Sequence, residues 1–169
     1  MHCAQPEVPD LPDAAHVQRL PVQSRARADR TRVTPAADPT PRIVVTAAVI
    51  HRDGCYLVTR RLRGTHLEGY WEFPGGKCDS NESLTACLDR EIAEELGTPV
   101  HVGDEIHSVS HTYRERIVEL HFFLCELLDE PRAVLGQEMQ WVAARDLRSL
   151  EFPPADAELI EILSSSRQK

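Results

Sequence analysis

The stretch GKCDSNESLTACLDREIAEELG, from Gly76 to Gly97, decides how the rest of the chain is read. Its second half has a helical period. Leu88, Ile92 and Leu96 recur every fourth residue and make an apolar stripe that can dock on a sheet. Ser83 is placed to cap the start and Gly97 to stop the end, so a helix is expected over residues 83–96. At about 100° per residue, Glu91, Glu94 and Glu95 fall within an arc of roughly 100° beside that stripe. Three carboxylates spaced i, i+3 and i+4 repel one another and raise one another's pKa; a cation removes the penalty. Oxygen donors alone favour Mg2+, Mn2+ or Ca2+ over zinc. Taken alone, a solvated acidic face with Arg90 paired to Glu94 one turn on accounts for the same residues.

The flanking sequence supplies strands for this helix to pack on. Residues 43–50 are a β-rich apolar run, Arg52-Asp53-Gly54 is a turn signal, and residues 55–61 form a second strand, so the two read as a hairpin. Residues 64–69 read as loop. Trp71-Glu72-Phe73 is a short extended piece ended by Pro74-Gly75-Gly76, where backbone can approach a ligand closely. Downstream, residues 100–113 and 116–128 are two long strands joined at Arg114-Glu115. The second alternates Ile117, Glu119 and His121 against Val118, Leu120 and Phe122. Trp141-Val142 is a further short strand, and Pro153-Pro154 opens a last helix with Leu159, Ile160 and Leu163 as its stripe. Strands mixed with two helices indicate an α/β sandwich.

Composition divides the chain near residue 42. Residues 1–42 hold seven of the 12 prolines, no glycine and no aromatic residue, and they cannot bury enough surface to offset ordering entropy. They are expected to be a disordered tail; Arg25, Arg27, Arg30 and Arg32 could otherwise serve as a targeting arm or a weak nucleic-acid contact. Residues 43–169 are expected to be the folded domain. The formal net charge of the 169-residue chain is −8, which argues against coating nucleic acid. No apolar run is long enough for a membrane helix, and the N-terminus lacks a secretory apolar core. The five cysteines, Cys3, Cys55, Cys78, Cys87 and Cys125, are odd in number and show no CxxC spacing. Reduced thiols in a cytoplasm are therefore expected, rather than disulfides or a zinc site.

The box itself is specific. From Gly76 the order is five residues, Glu82, seven residues, then Arg90-Glu91-Ile92-x-Glu94-Glu95-x-Gly97. This resembles the Nudix box at every specified position except the last, where Thr98 replaces a bulky apolar residue. The resemblance implies a Nudix α/β/α sandwich with a mixed β-sheet. Thr59-Arg60-Arg61, His66, the run from Trp71 to Lys77 and the segment Phe152-Pro153-Pro154-Ala155-Asp156 are similar to the MutT-like branch. In that branch residues at the positions of Arg61 and His66 hold substrate, and the Phe at position 73 lines the base pocket. Glu72, Pro74 and Gly75 of the same run are expected to bind substrate with them. The residue matching Asp156 is Asn in the best-known 8-oxoguanine-specific member, where it reads the base edge.

The resemblance implies hydrolysis of (deoxy)nucleoside triphosphates, 8-oxo-dGTP among them, to nucleoside monophosphate and pyrophosphate, a nucleotide-pool sanitation role. It implies Mg2+, with Mn2+ as a substitute, held by Glu91, Glu94, Glu95 and the Gly75 carbonyl. Glu91 is taken as general base, although the carboxylate in that role differs within the family. Arg90 is expected to orient the glutamates, and Glu82 to orient Arg90 or hold a second metal through water. Each residue also has a plain reading. Arg61 and Arg60 suit a surface, His66 a surface loop, Phe73 the core, and Asp156 the first turn of the last helix. Tyr70 and Trp71 read as structural, and Glu138 as an outer carboxylate or a surface turn. As a carboxylate, Asp156 accepts N–H donors of guanine or a cytosine amino group, and donates to a carbonyl only when protonated. Other substrates remain open at this point: cytosine nucleotides, ADP-ribose or dinucleoside polyphosphates, or a non-catalytic sensor. The expected partner is a small nucleotide, with no nucleic acid or membrane, and the chain is expected to be a monomer or homodimer.

Overall fold

The computed structural model describes residues 40–165. The expected tail over residues 1–42 lies outside the described residues up to position 39. Its last residue, Arg42, already belongs to a strand. In chain order the elements are β1 (Arg42–Arg52), β2 (Cys55–Arg60), β3 (Trp71–Glu72), β4 (Gly75–Lys77), α1 (Leu84–Leu96), β5 (Val100–Tyr113), β6 (Arg116–Leu127), β7 (Met139–Ala143) and α2 (Ala157–Ser165). Short 3-10 turns span Ala144–Ser149 and Pro154–Asp156.

The β1–β2 hairpin closes on two residues with positive φ, Asp53 at 50° and Gly54 at 80°, the pattern of a tight I′ turn. The sheet runs β3-β2-β1-β6-β5, with β4 alongside β1 and β7 alongside β2. The central pair, β1 and β6, is parallel, from Arg42 opposite Ile117 to Ile50 opposite Cys125. The other pairs are antiparallel, so the sheet is mixed as expected.

Both faces of the sheet are covered, which explains why β1 reads as a continuous apolar run. Ala47 and Val49 point to one face, where they meet Phe122, Leu159, Ile160 and Leu163 under α2. Ala48 and Ile50 point to the other and meet Leu88, Ile92 and Leu96 of α1. These three α1 side chains are fully buried. Burying each is worth about 1.5–3 kcal/mol, which fixes the rotation of α1 and therefore the direction of its carboxylates.

Three expectations are corrected. Gly75-Gly76 does not end an extended piece; it opens β4, which pairs with residues Val45, Thr46 and Ala47 of β1. Gly75 has φ +148°, and a Cβ there would collide with the Thr46 carbonyl, so close strand approach is what requires glycine. The last helix does not start at Pro153-Pro154; a 3-10 turn intervenes and α2 begins at Ala157. The thiols are not all reduced: Cys78 and Cys87 form a disulfide. Cys78 follows β4, and the chain then doubles back into α1, bringing two residues nine apart to a Cα separation of 5.2 Å. Cys55 and Cys125 are unbonded. Among the described residues, no helix is long and apolar enough to cross a membrane.

Candidate active site

The helix α1 is built locally. The Ser83 hydroxyl accepts from the Ala86 N–H at 3.2 Å, and Gly97 adopts the left-handed conformation that ends it. Thr98 stands where the box has an apolar residue and is buried. Its hydroxyl accepts from the Asp129 N–H at 3.1 Å and lies 3.1 Å from the Pro99 carbonyl oxygen, so the departure is satisfied by hydrogen bonds.

The Arg90 guanidinium organises the acids around it. It donates to both oxygens of Glu82, at 2.9 and 2.8 Å, to Glu91 Oε1 at 2.8 Å and to the Lys77 carbonyl at 3.3 Å. These bonds hold the Glu82 carboxyl below its usual pKa. Glu94 lies 3.6 Å from the same guanidinium with its side chain 59% exposed. Glu91 lies against Gly76, where an added Cβ would strike its carboxyl. Glu95 accepts from the Gly75 N–H at 3.1 Å. Burial raises the Glu95 pKa to about 7, and the nearby Glu72 and Glu91 charges add to the rise.

A cleft of about 480 Å3 brings most of the expected residues together. Glu72, Gly75, Gly76, Glu91 and Glu95 line it, together with Arg61, His66, Phe73 and Asp156. Glu94 and Arg90 are not among its lining residues. Arg61 is an ion-pair partner of Glu72, and its Nε donates to the His66 carbonyl at 2.6 Å. It therefore ties the 62–69 loop to β3. Burial raises the Glu72 pKa, and Arg61 opposes the rise. The His66 side chain is exposed, with its ring edge-on to Tyr113 at 5.4 Å. Phe73 serves both the pocket and the core: it lines the cleft, stacks on Phe152 at 5.7 Å and meets Phe122 edge-on. Pro74 is fully buried, and its carbonyl accepts from the Ala48 N–H at 2.8 Å. Asp156 sits in the 3-10 turn, only 4% exposed. Burial raises its pKa to about 7; Glu72 adds to the rise and Arg61 opposes it.

Sequence reading missed four contributors. Tyr113, Arg116, Leu135 and Gln137 also line the cleft. Gln137 is buried and donates to the Glu95 carbonyl at 2.9 Å, so it braces the end of α1. No local pattern marks these residues, because each arrives from a segment distant in sequence. Glu138 is on the surface, paired with Arg60 at 3.0 Å, as its plain reading had it. Trp71 is buried core.

Among the described residues, no three His, Cys, Asp or Glu side chains converge as a ready cage for a metal ion. The donors nevertheless fit a hard cation. Mg2+ typically takes one or two carboxylates and completes its shell with water and substrate phosphate. Glu91 and Glu95 supply two carboxylates in the cleft, and the buried, like-charged setting of Glu95 is one a cation would relieve.

Comparison with known proteins identifies the family of the chain. The sequence profile of the NUDIX domain matches residues 45–162. The chain is 36% identical over 123 residues to the 8-oxo-dGTP diphosphatase of Haemophilus influenzae, covering 72% of this chain and 90% of that one. It is 33% identical over 126 residues to the CTP pyrophosphohydrolase of Escherichia coli, covering 74% and 93%. The solution structure of the MutT protein of methicillin-resistant Staphylococcus aureus superimposes with a TM-score of 0.64 at 31% identity, covering 75% of this chain and 98% of that one.

Proposed function

Because the chain belongs to the Nudix family and is a pyrophosphohydrolase of its MutT-like branch, we propose that it hydrolyses 8-oxo-dGTP and related (deoxy)nucleoside triphosphates to the monophosphate and pyrophosphate, with Mg2+ as cofactor. The supporting observation is that one cleft holds both a carboxylate group, Glu91 and Glu95 beside Gly75, and a base-sized wall of Phe73 and Asp156. Phosphoryl transfer needs mainly positioning and charge neutralisation; the wall positions the base, and the carboxylates would hold the cation that neutralises phosphate charge.

Glu91, Glu95 and the Gly75 carbonyl are the groups that would hold the metal, with the exposed Glu94, 3.6 Å from Arg90, as a further carboxylate outside the cleft lining. When bound, the metal supplies charge neutralisation at phosphate oxygens and acidifies a water. Glu91 accepts the proton of the attacking water, and Arg90 fixes Glu91 through Nη1 while Glu82 anchors Arg90. Arg61 holds the 62–69 loop, and so the His66 side chain, at the mouth of the cleft. Phe73 offers its ring to the base and Asp156 its carboxyl.

A second reading rests on Asp156. Its ionised form accepts from a cytosine amino group, and one relative is named a CTP pyrophosphohydrolase. Pyrophosphate release with Mg2+ across 8-oxo-dGTP, dGTP, dCTP, 5-methyl-dCTP, ADP-ribose and diadenosine polyphosphates separates the readings. The expected result is a preference for 8-oxo-dGTP over dGTP in kcat/KM. A preference for dCTP keeps the branch and replaces the substrate, and release from none of them sinks the catalytic reading.

A further inference from the structure

One row of α1 meets β4 and its extension rung by rung. Cys87, Glu91 and Glu95 are spaced by four residues and so share one side of the helix. Cys87 is bonded to Cys78, Glu91 lies against Gly76, and Glu95 accepts from the Gly75 N–H at 3.1 Å. The helix is ascended 87, 91, 95 as the facing chain is descended 78, 76, 75. The first rung of this ladder is covalent. It is also tied to β1, because the buried Thr46 hydroxyl lies 3.2 Å from Cys87 Sγ, and Thr46 pairs with Gly76.

We propose that Cys78 and Cys87 are positioning residues for the metal-binding carboxylates: their bond holds α1 at the separation from β4 that places Glu91 and Glu95 beside Gly75 and Gly76. The proposal rests on the reading of Glu91 and Glu95 as metal ligands. Bonded sulfurs sit about 2 Å apart, whereas unbonded atoms of this size need roughly 3.5–4 Å. Cys87 is fully buried and Cys78 is 9% exposed, so on reduction the extra separation has to be taken up among packed neighbours. The 79–83 turn or α1 itself must move, and a preorganised site is sensitive to shifts of about 1 Å.

The bond forms when the two thiols give up two electrons and two protons to a small-molecule disulfide of the glutathione class, which leaves as two thiols. In the reverse direction a dithiol attacks Cys78 Sγ, on the less buried of the two residues, and Cys87 leaves as thiolate and takes a proton. The second thiol of the reductant then displaces Cys78 and closes to a cyclic disulfide.

The experiment uses the full chain purified without reductant. Thiols are titrated in denaturant, and Mn2+ affinity is measured by calorimetry before and after dithiothreitol treatment and anaerobic desalting. Two extra thiols are expected on reduction, with Mn2+ Kd rising about tenfold, kcat falling by a similar factor, and the ranking of nucleotide bases unchanged. Cys78→Ala should reproduce the reduced state without reductant, and Cys55→Ala should change neither state. Equal thiol counts before and after dithiothreitol overturn the proposal, because the bond is then absent. So does a lower unfolding temperature with unchanged Mn2+ affinity, since the bond would then be a simple structural brace. If Glu95→Gln leaves Mn2+ affinity of the oxidised protein unchanged, the ligand reading fails first and takes this proposal with it.

Discussion

A carboxyl group that is 4% exposed beside Glu72 keeps its proton up to about pH 7, and Asp156 is in that setting. Below that pH its O–H donates to a base carbonyl; above it, the carboxylate accepts from an amino group. The ratio of kcat/KM for 8-oxo-dGTP over dCTP should therefore fall about tenfold between pH 6 and pH 8. Asp156→Asn, which donates and accepts at every pH, should make that ratio flat; a slope that survives the substitution removes Asp156 from base reading. Glu91 carries the chemical prediction at this scale. Glu91→Gln keeps the shape and loses the base, and kcat should drop by roughly 10²–10⁴ while the circular dichroism spectrum is unchanged. Activity within tenfold of the wild type would assign the proton to another group. Of these residues, Glu91 was singled out in the sequence by its place in the box, through the family resemblance. The burial of Asp156 was not, because its neighbours Glu72 and Arg61 are more than 80 positions away in sequence.

Elements differ in how locally they are encoded. The α1 helix carries its cap, its stop and its stripe within its own residues, and its observed bounds differ from the expected ones only by counting Ser83 as the cap. The β1–β2 hairpin is equally local, through Asp53-Gly54. The β4 strand is not. Two glycines and a lysine carry no strand signal, and they become a strand because β1 lies close enough to exclude any side chain at Gly75. At Gly76 an added Cβ would instead meet the carboxyl of Glu91, which has to shift to admit it. Gly76→Ala should thus displace Glu91 and cut kcat at least a hundredfold, with far-ultraviolet circular dichroism retained. Retention of more than a tenth of the activity would show that Glu91 can yield without loss.

For the molecule as a whole, the same buried Asp156 links stability to pH. Its folded pKa, about 7, lies above the unfolded value near 4, so the folded state binds more protons across that window and stability falls as pH rises through it. The slope from this group approaches about 1.4 kcal/mol per pH unit. Asp156→Asn should flatten it and raise the unfolding temperature at pH 8 by several degrees, with little change at pH 4; an equal shift at both would refute the linkage. Periodicity, caps and box spacing were enough to determine the fold class, the carboxylate helix and the family, because each depends on residues within a few turns of one another. Only the tertiary structure decided that Glu94 faces out while Glu95 faces in, that Tyr113 and Gln137 join the cleft, and that Cys78 and Cys87 are bonded. The directions of Glu94 and Glu95 follow from how α1 is seated on the sheet by its buried leucines and isoleucine, and Tyr113 is placed by the β5–β6 pairing; both are set by neighbours that no local pattern names.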